Sequence, residues 1–233
     1  VVNGWLAERA FGARQPIQAG ATLDSRFWYN PELKSRNFLV PGSIAIIMTL
    51  IGTLLTALVI AREWERGTME AMMATPVTIK EILLGKLIPY FFLGLASMLL
   101  CLVISYGYYG VPFRGSLYAL AIVTAVFLLA ALGQGMLIST IARDQFVASQ
   151  AALMSAFLPA FMLSGFVFEI SAMPMPIQWL THIIAARYFV TSLQSVFLVG
   201  DVWPLLWRSL LAMILIAGVF AIAILKKTKK RLD

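Results

Sequence analysis

Charge is scarce in this chain: Asp, Glu, Lys and Arg make up 12% of its 233 residues, about half the share usual in a soluble domain. Cysteine and histidine are scarcer still, at one residue each. Cys101 lies inside an apolar run, so an intramolecular disulfide is excluded, and His182 alone cannot build a histidine-based metal cluster. No metal site is expected. ATP chemistry needs a glycine-rich phosphate loop ending Gly-Lys-Ser/Thr. The nearest approach, Gly85-Lys86-Leu87, lacks both the hydroxyl for Mg²⁺ and a glycine five residues before Gly85, so ATP hydrolysis is not expected of these residues. Ser139 and Ser164 have no Gly-x-Ser-x-Gly elbow and no His-Asp partner, and close helix packing is the expected role of such small residues. A basic-then-apolar leader is missing too, and with Val1 in first place the sequence is expected to be a piece of a longer chain.

What is abundant is apolar surface, with 61% hydrophobic residues. No water-soluble fold of this size could hide it. A spanning helix needs roughly 20 predominantly apolar residues, and the charged residues themselves mark off the candidates. The spacing predicts an all-α polytopic membrane protein with roughly five transmembrane helices, over about 41–61, 82–110, 116–141, 145–168 and 204–225. Residues 169–203 are uneven: Pro174, Pro176, Gln178, Trp179 and His182 interrupt a stretch too short for a span. A re-entrant or interfacial helix pair is expected there. Residues 1–38, with Asn30-Pro31 among Phe27, Trp28 and Tyr29, read as the remnant of an external domain leading into a membrane domain over 39–233.

The net charge of +7 does not point to nucleic acid, because the basic residues sit at the ends of apolar runs and form no face with interleaved aromatics. Membrane topology accounts for them. With the tail in the cytoplasm, ten basic residues fall inside (Arg62, Arg66, Lys80, Lys86, Arg143, Lys226, Lys227, Lys229, Lys230 and Arg231). Only Arg114, Arg187 and Arg208 fall outside beyond the leader. An odd number of spans puts the termini on opposite faces, so a preceding span is expected.

Residues 62–80 carry the most information. Arg62 can pair with Glu65, and Arg66 with Glu70, at helical spacing, so a short surface helix is expected despite Gly67. Thr75 before Pro76 ends it. Thr78-Ile79-Lys80-Glu81 then matches a capping box ahead of an apolar run. Such a segment is either a solvated loop or a helix that docks on a partner, with Met69, Met72 and Met73 in a groove and Glu63, Arg66 and Glu70 at its rim. Periodicity does not separate the two.

The strings Arg62-Glu63, Glu65-Arg66-Gly67-Thr68, Glu70, Ala74-Thr75-Pro76 and Gly85-Lys86 resemble the signature loop of ABC type-2 transporter permeases. Asn30-Pro31 and residues 36–42 are similar to the entry of the second span in the drug-exporting branch of that family. The resemblance implies six helices per permease, with a large external domain between the first and second. It implies a multi-pass protein of the cell membrane, the inner one in a bacterium, with a cytoplasmic C-terminus. It also implies a second permease copy, as a homodimer or heterodimer, and a cytoplasmic ATPase, separate or fused, that binds the ATP and Mg²⁺. Arg62, Glu63, Glu65, Arg66, Gly67, Thr68, Glu70, Met72, Met73 and Pro76 would then be the ATPase-coupling residues, with Glu169 and Arg187 at an external gate.

Polar residues inside the spans are few. Thr49 and Thr53, with Gly52 and Thr56, have the spacing of small residues that let helices approach. Thr49, Thr53, Gln134 and Gln150 are the candidates for a translocation path, Gln134 foremost. The cargo expected is a small amphiphilic compound or drug, with a lipid or glycan carrier as the alternative. An ion-coupled secondary transporter is disfavoured because no acidic residue lies deep in any span. A membrane anchor holding anionic lipid through its basic tail is the remaining rival.

Overall fold

The chain divides into two units, Val1–Leu33 and Lys34–Asp233. The computed structural model describes residues 35–227, all within the second unit, so of the remnant expected over 1–38 only residues 35–38 are described, and the last basic residues lie outside the described residues. Among the described residues there are helices and turns and no strand. Helix α1 is Ser35–Glu65, and the short α2 is Thr68–Met73. The long helices α3, Ile79–Gly107, and α4, Leu117–Ala142, follow. Next come α5, Gln145–Ala152, a π-helical turn at Leu153–Phe157 and α6, Leu158–Leu163. Beyond a 3₁₀ turn at Ile170–Ala172 lie α7, Met175–Thr181, and α8, Ala185–Gln194, which runs into a second π turn at Ser195–Val199. Helix α9 is Trp203–Lys227.

Five helical segments are long and apolar enough to cross a membrane: α1, most of α3, α4, the α5 to α6 run and α9. The α7 and α8 arms meet at 81°, as a broken span or a re-entrant loop.

Local chemistry explains the ends. Thr78 caps α3 as a complete capping box: its hydroxyl accepts from the Glu81 amide at 3.4 Å, and its own amide donates to the Glu81 carboxylate at 2.7 Å. Ser116 caps α4 and Asp144 caps α5 with the side chain alone, accepting from the Ala119 amide at 3.1 Å and the Val147 amide at 2.8 Å. Arg143, at φ 55°, closes α4 in the left-handed region and lets α5 start almost at once.

Several boundaries differ from those expected. Helix α1 begins at Ser35, so Pro41 lies inside it. Proline there brings no amide to the helical ladder, and two residues on, the Ser43 hydroxyl donates to the Val40 carbonyl at 2.9 Å. The fourth span was expected to run unbroken over 145–168, but it passes through the π turn and stops at Leu163. Gly165, at φ +86°, then reverses the backbone. The short helix expected at the start of residues 62–80 is divided at Gly67: α1 extends to Glu65 and α2 begins at Thr68.

Helices α1 and α4 are the most buried of the five, while α3, the α5 to α6 run and α9 leave most of their apolar surface exposed on the single chain. Small residues make the α1/α4 contact close. A Cβ added at Gly52 would stand 2.9 Å from the Ala131 Cβ, and one at Gly135 would stand 2.3 Å from the Thr53 carbonyl oxygen. The threonines spend their hydroxyls on their own helix, Thr49 donating to Ala45 at 2.8 Å, Thr53 to Thr49 at 2.6 Å and Thr56 to Gly52 at 2.7 Å. Thr53 and Thr56 act there as small, satisfied packing residues. Stacked Phe127 and Phe189, with ring centroids 3.8 Å apart, join α4 to α8.

Candidate functional site

The last turn of α1 is the most heavily bonded polar element among the described residues. The Lys86 ammonium of α3 lies 2.6 Å from the Glu63 carboxylate. Thr68 donates its hydroxyl to the same carboxylate and, at 3.2 Å, to the Glu63 carbonyl. Glu63 stands beyond the charge-free run, at the polar end of the helix. Its carboxyl is held below the usual carboxylate range, first by the Lys86 hydrogen bond and then by Thr68. On the neighbouring side, Arg62 donates its Nε to the Gln145 side-chain oxygen at 3.4 Å, and the Gln145 amide donates to Glu65. The Arg143 guanidinium lies 4.4 Å from the centre of the Trp64 ring. Three consecutive helices therefore grip residues 62–65.

This arrangement corrects the expected pairs. Arg62 and Glu65 do not pair with each other, because Gln145 lies between them and serves both. Arg66 and Glu70 form no ion pair, because Gly67, at φ 69°, breaks the helix and removes the four-residue register. Met69, expected to face a partner, is only 1% exposed and packs within its own chain. Met72 is half-buried, and the Met73 side chain lies outside the described ones. Of the expected coupling residues, Arg62, Glu65, Arg66, Gly67, Thr68, Glu70 and Pro76 are exposed. Reading the sequence missed Lys86, Arg143 and Gln145 as partners of this turn. Lys86 alone carried a local signal, as half of the Gly85-Lys86 string.

Deeper in the bundle, Thr49 and Gln134 line one cavity of about 230 Å³ with Ser155 and Phe220. Gln134 donates its amide to the Ser155 carbonyl at 3.1 Å, inside the π turn. A π turn lengthens the helical ladder and leaves carbonyls needing an outside donor, which Gln134 supplies. Thr53 does not line the cavity, and Gln150 is exposed on α5 away from it. Replacing Gln134 by Leu leaves the Ser155 carbonyl without this donor, at a cost of about 0.5–1.5 kcal/mol. Faster amide exchange confined to residues 150–160 in detergent is the expected readout.

Glu169 and Arg187 are not brought together as an ion pair. The Glu169 carboxylate accepts from the Ser171 hydroxyl at 2.6 Å. Arg187 reaches across the bend to α7, donating to the Thr181 hydroxyl and approaching His182 Nδ1 at 3.1 Å. Glu169 is bonded within its own turn, while Arg187 braces the two arms across their 81° bend.

Five apolar helices around a hydrophobic core, with charged clusters at their ends, define a polytopic α-helical membrane protein. Residues 12–226 match the model of the ABC-2 family transporter proteins, and the chain belongs to that family. It is 51% identical over 229 residues to the Escherichia coli K12 protein named "Probable multidrug ABC transporter permease YbhS", covering 98% of this chain and 61% of that one. A second protein of the same organism, "Probable multidrug ABC transporter permease YbhR", is 31% identical over 94% of this chain and 58% of its own length. "Inner membrane transport permease YhhJ", also from Escherichia coli K12, is 29% identical over 98% of this chain and 62% of its own. The chain thus spans about three fifths of the length of the curated relatives it matches.

Proposed function

We propose that this chain is the membrane-spanning part of an ATP-driven exporter permease whose residues 62–76 receive the movement of a cytoplasmic ATPase. The observation that carries the reading is the grip on the last turn of α1. Lys86, Arg143 and Gln145 hold residues 62–65, while Glu65, Arg66, Thr68 and Glu70 remain outward. A push on that outward surface passes into α1, the helix most buried in the bundle, without being lost in a flexible loop. Basic residues concentrate at this end of the spans, which supports a cytoplasmic placement for it and for the C-terminus. The ATPase supplies nucleotide and Mg²⁺ chemistry, and two permease copies enclose the path. The names of the relatives support a small amphiphilic compound or drug as cargo. Thr49 and Gln134, on one cavity, are the path residues this reading retains.

The experiment is reconstitution of the full-length permease with its ATPase, followed by Glu63→Ala together with Arg66→Ala. ATP turnover that persists while export per ATP falls severalfold is the expected result. Unchanged export in the double variant overturns the mechanism.

A further inference from the structure

Between α3, α4 and α9 runs an apolar groove of about 500 Å³ that the exporter reading leaves without a task. Leu83 and Leu87 form one wall, Ile214 and Ile224 the other, and Gly133 and Gly218 keep it open. A Cβ at Gly218 would meet nothing within 4 Å. The wall from Ile214 to Leu225 rises roughly 16 Å at 1.5 Å per residue, about half the ~30 Å hydrocarbon core of a bilayer. The groove therefore has the depth of one leaflet. At the end where Ile224 and Leu225 line it, α9 finishes in exposed Lys226 and Lys227, and the sequence continues with Lys229, Lys230 and Arg231. On the α3 side of that mouth, the Glu81 carboxylate is engaged by the Thr78 amide, and Glu63 of α1 by Lys86. Cationic charge is left over where a lipid headgroup would lie.

We infer that this groove holds one acyl chain of an anionic phospholipid of the cytoplasmic leaflet, with its phosphate at Lys226 and Lys227. Each side of the match has its own physical basis. Burying methylenes in a dry groove is favourable for any lipid, while lysines at the surface attract the anionic ones. Trp64 packs in one apolar cluster with Leu83, Met136 and Ile224, so the occupant lies against the wall that also backs the α1 turn. The assignment rests on the orientation in the exporter reading.

Native mass spectrometry of the full-length permease in detergent, with phosphatidylglycerol or phosphatidylcholine of identical chains added, tests it. The wild type should retain phosphatidylglycerol severalfold more than phosphatidylcholine. Lys226→Gln with Lys227→Gln should remove that preference. Gly218→Leu, which projects into open space and fills the groove, should abolish retention of both lipids. Should that variant fail to fold, Ala221→Leu on the same wall replaces it. Equal retention of the two lipids by the wild type, or full retention in a folded groove-filled variant, overturns the assignment. So does a loss of dimer with lipid binding intact, which would make a second copy the occupant. The readout involves neither ATP nor transport, so its failure and that of the exporter reading are distinguishable.

Discussion

Gly135→Ala is expected to lower the melting temperature of the detergent-solubilised protein. The new Cβ would stand 2.1 Å from the Thr56 hydroxyl oxygen and 2.3 Å from the Thr53 carbonyl oxygen. Neither group can retreat cheaply. The Thr56 hydroxyl donates to the Gly52 carbonyl at 2.7 Å, and Thr53 contributes rigid helix backbone. Helices α1 and α4 must therefore separate where both are most buried, and overpacking of this kind costs about 1–3 kcal/mol. Gly85→Ala is the control, because a Cβ there meets nothing within 4 Å. Its melting temperature should hold or rise, since alanine in a helix is favoured over glycine by up to ~1 kcal/mol. Equal melting of Gly135→Ala and wild type would sink the close-packed seam.

Charge reversal across Glu63 and Lys86 is expected to produce the largest functional change. Either Glu63→Lys or Lys86→Glu alone places like charges where a 2.6 Å ion pair now stands, both side chains being only about a quarter exposed (25% and 21%). Breaking a charge-assisted hydrogen bond costs about 1.5–3 kcal/mol, and repulsion adds to it. The last turn of α1 should loosen from α3, with export per ATP falling severalfold in each single variant. The double reversal restores opposite charges at the same place, and Thr68 can still bond, because a hydroxyl accepts as readily as it donates. Recovery of most of the export in the double variant is the expected result. Transport unaffected by either single reversal would show that this pair does not link α1 to α3 in the working protein.

Some of this site was legible in the residue order and some was not. The Thr78-to-Glu81 capping box could be read directly, because both of its hydrogen bonds close within four residues. Gln134 drew attention as an amide in an apolar span between two glycines, yet its partner is a carbonyl 21 residues away in a π turn. No local pattern announces that turn. The Arg66 and Glu70 register failed for a local reason: a single left-handed glycine outweighs a favourable spacing. The Arg62 and Glu65 pair failed for a distant one, since Gln145 arrives from 80 residues along the chain.

Residue order alone was enough for the helical class, the apolar segments and the capped start of α3, because uncharged runs, capping residues and the ends of runs act over one or two turns of backbone. Tertiary structure decided which of the threonines merely pack, which polar group serves the π turn, and that Lys86, Arg143 and Gln145 converge on residues 62–65. Those outcomes depend on which helices become neighbours and at what rotation. Side chains far apart in sequence settle that by packing, through small residues such as Gly52 and Gly135 that bring α1 and α4 into contact.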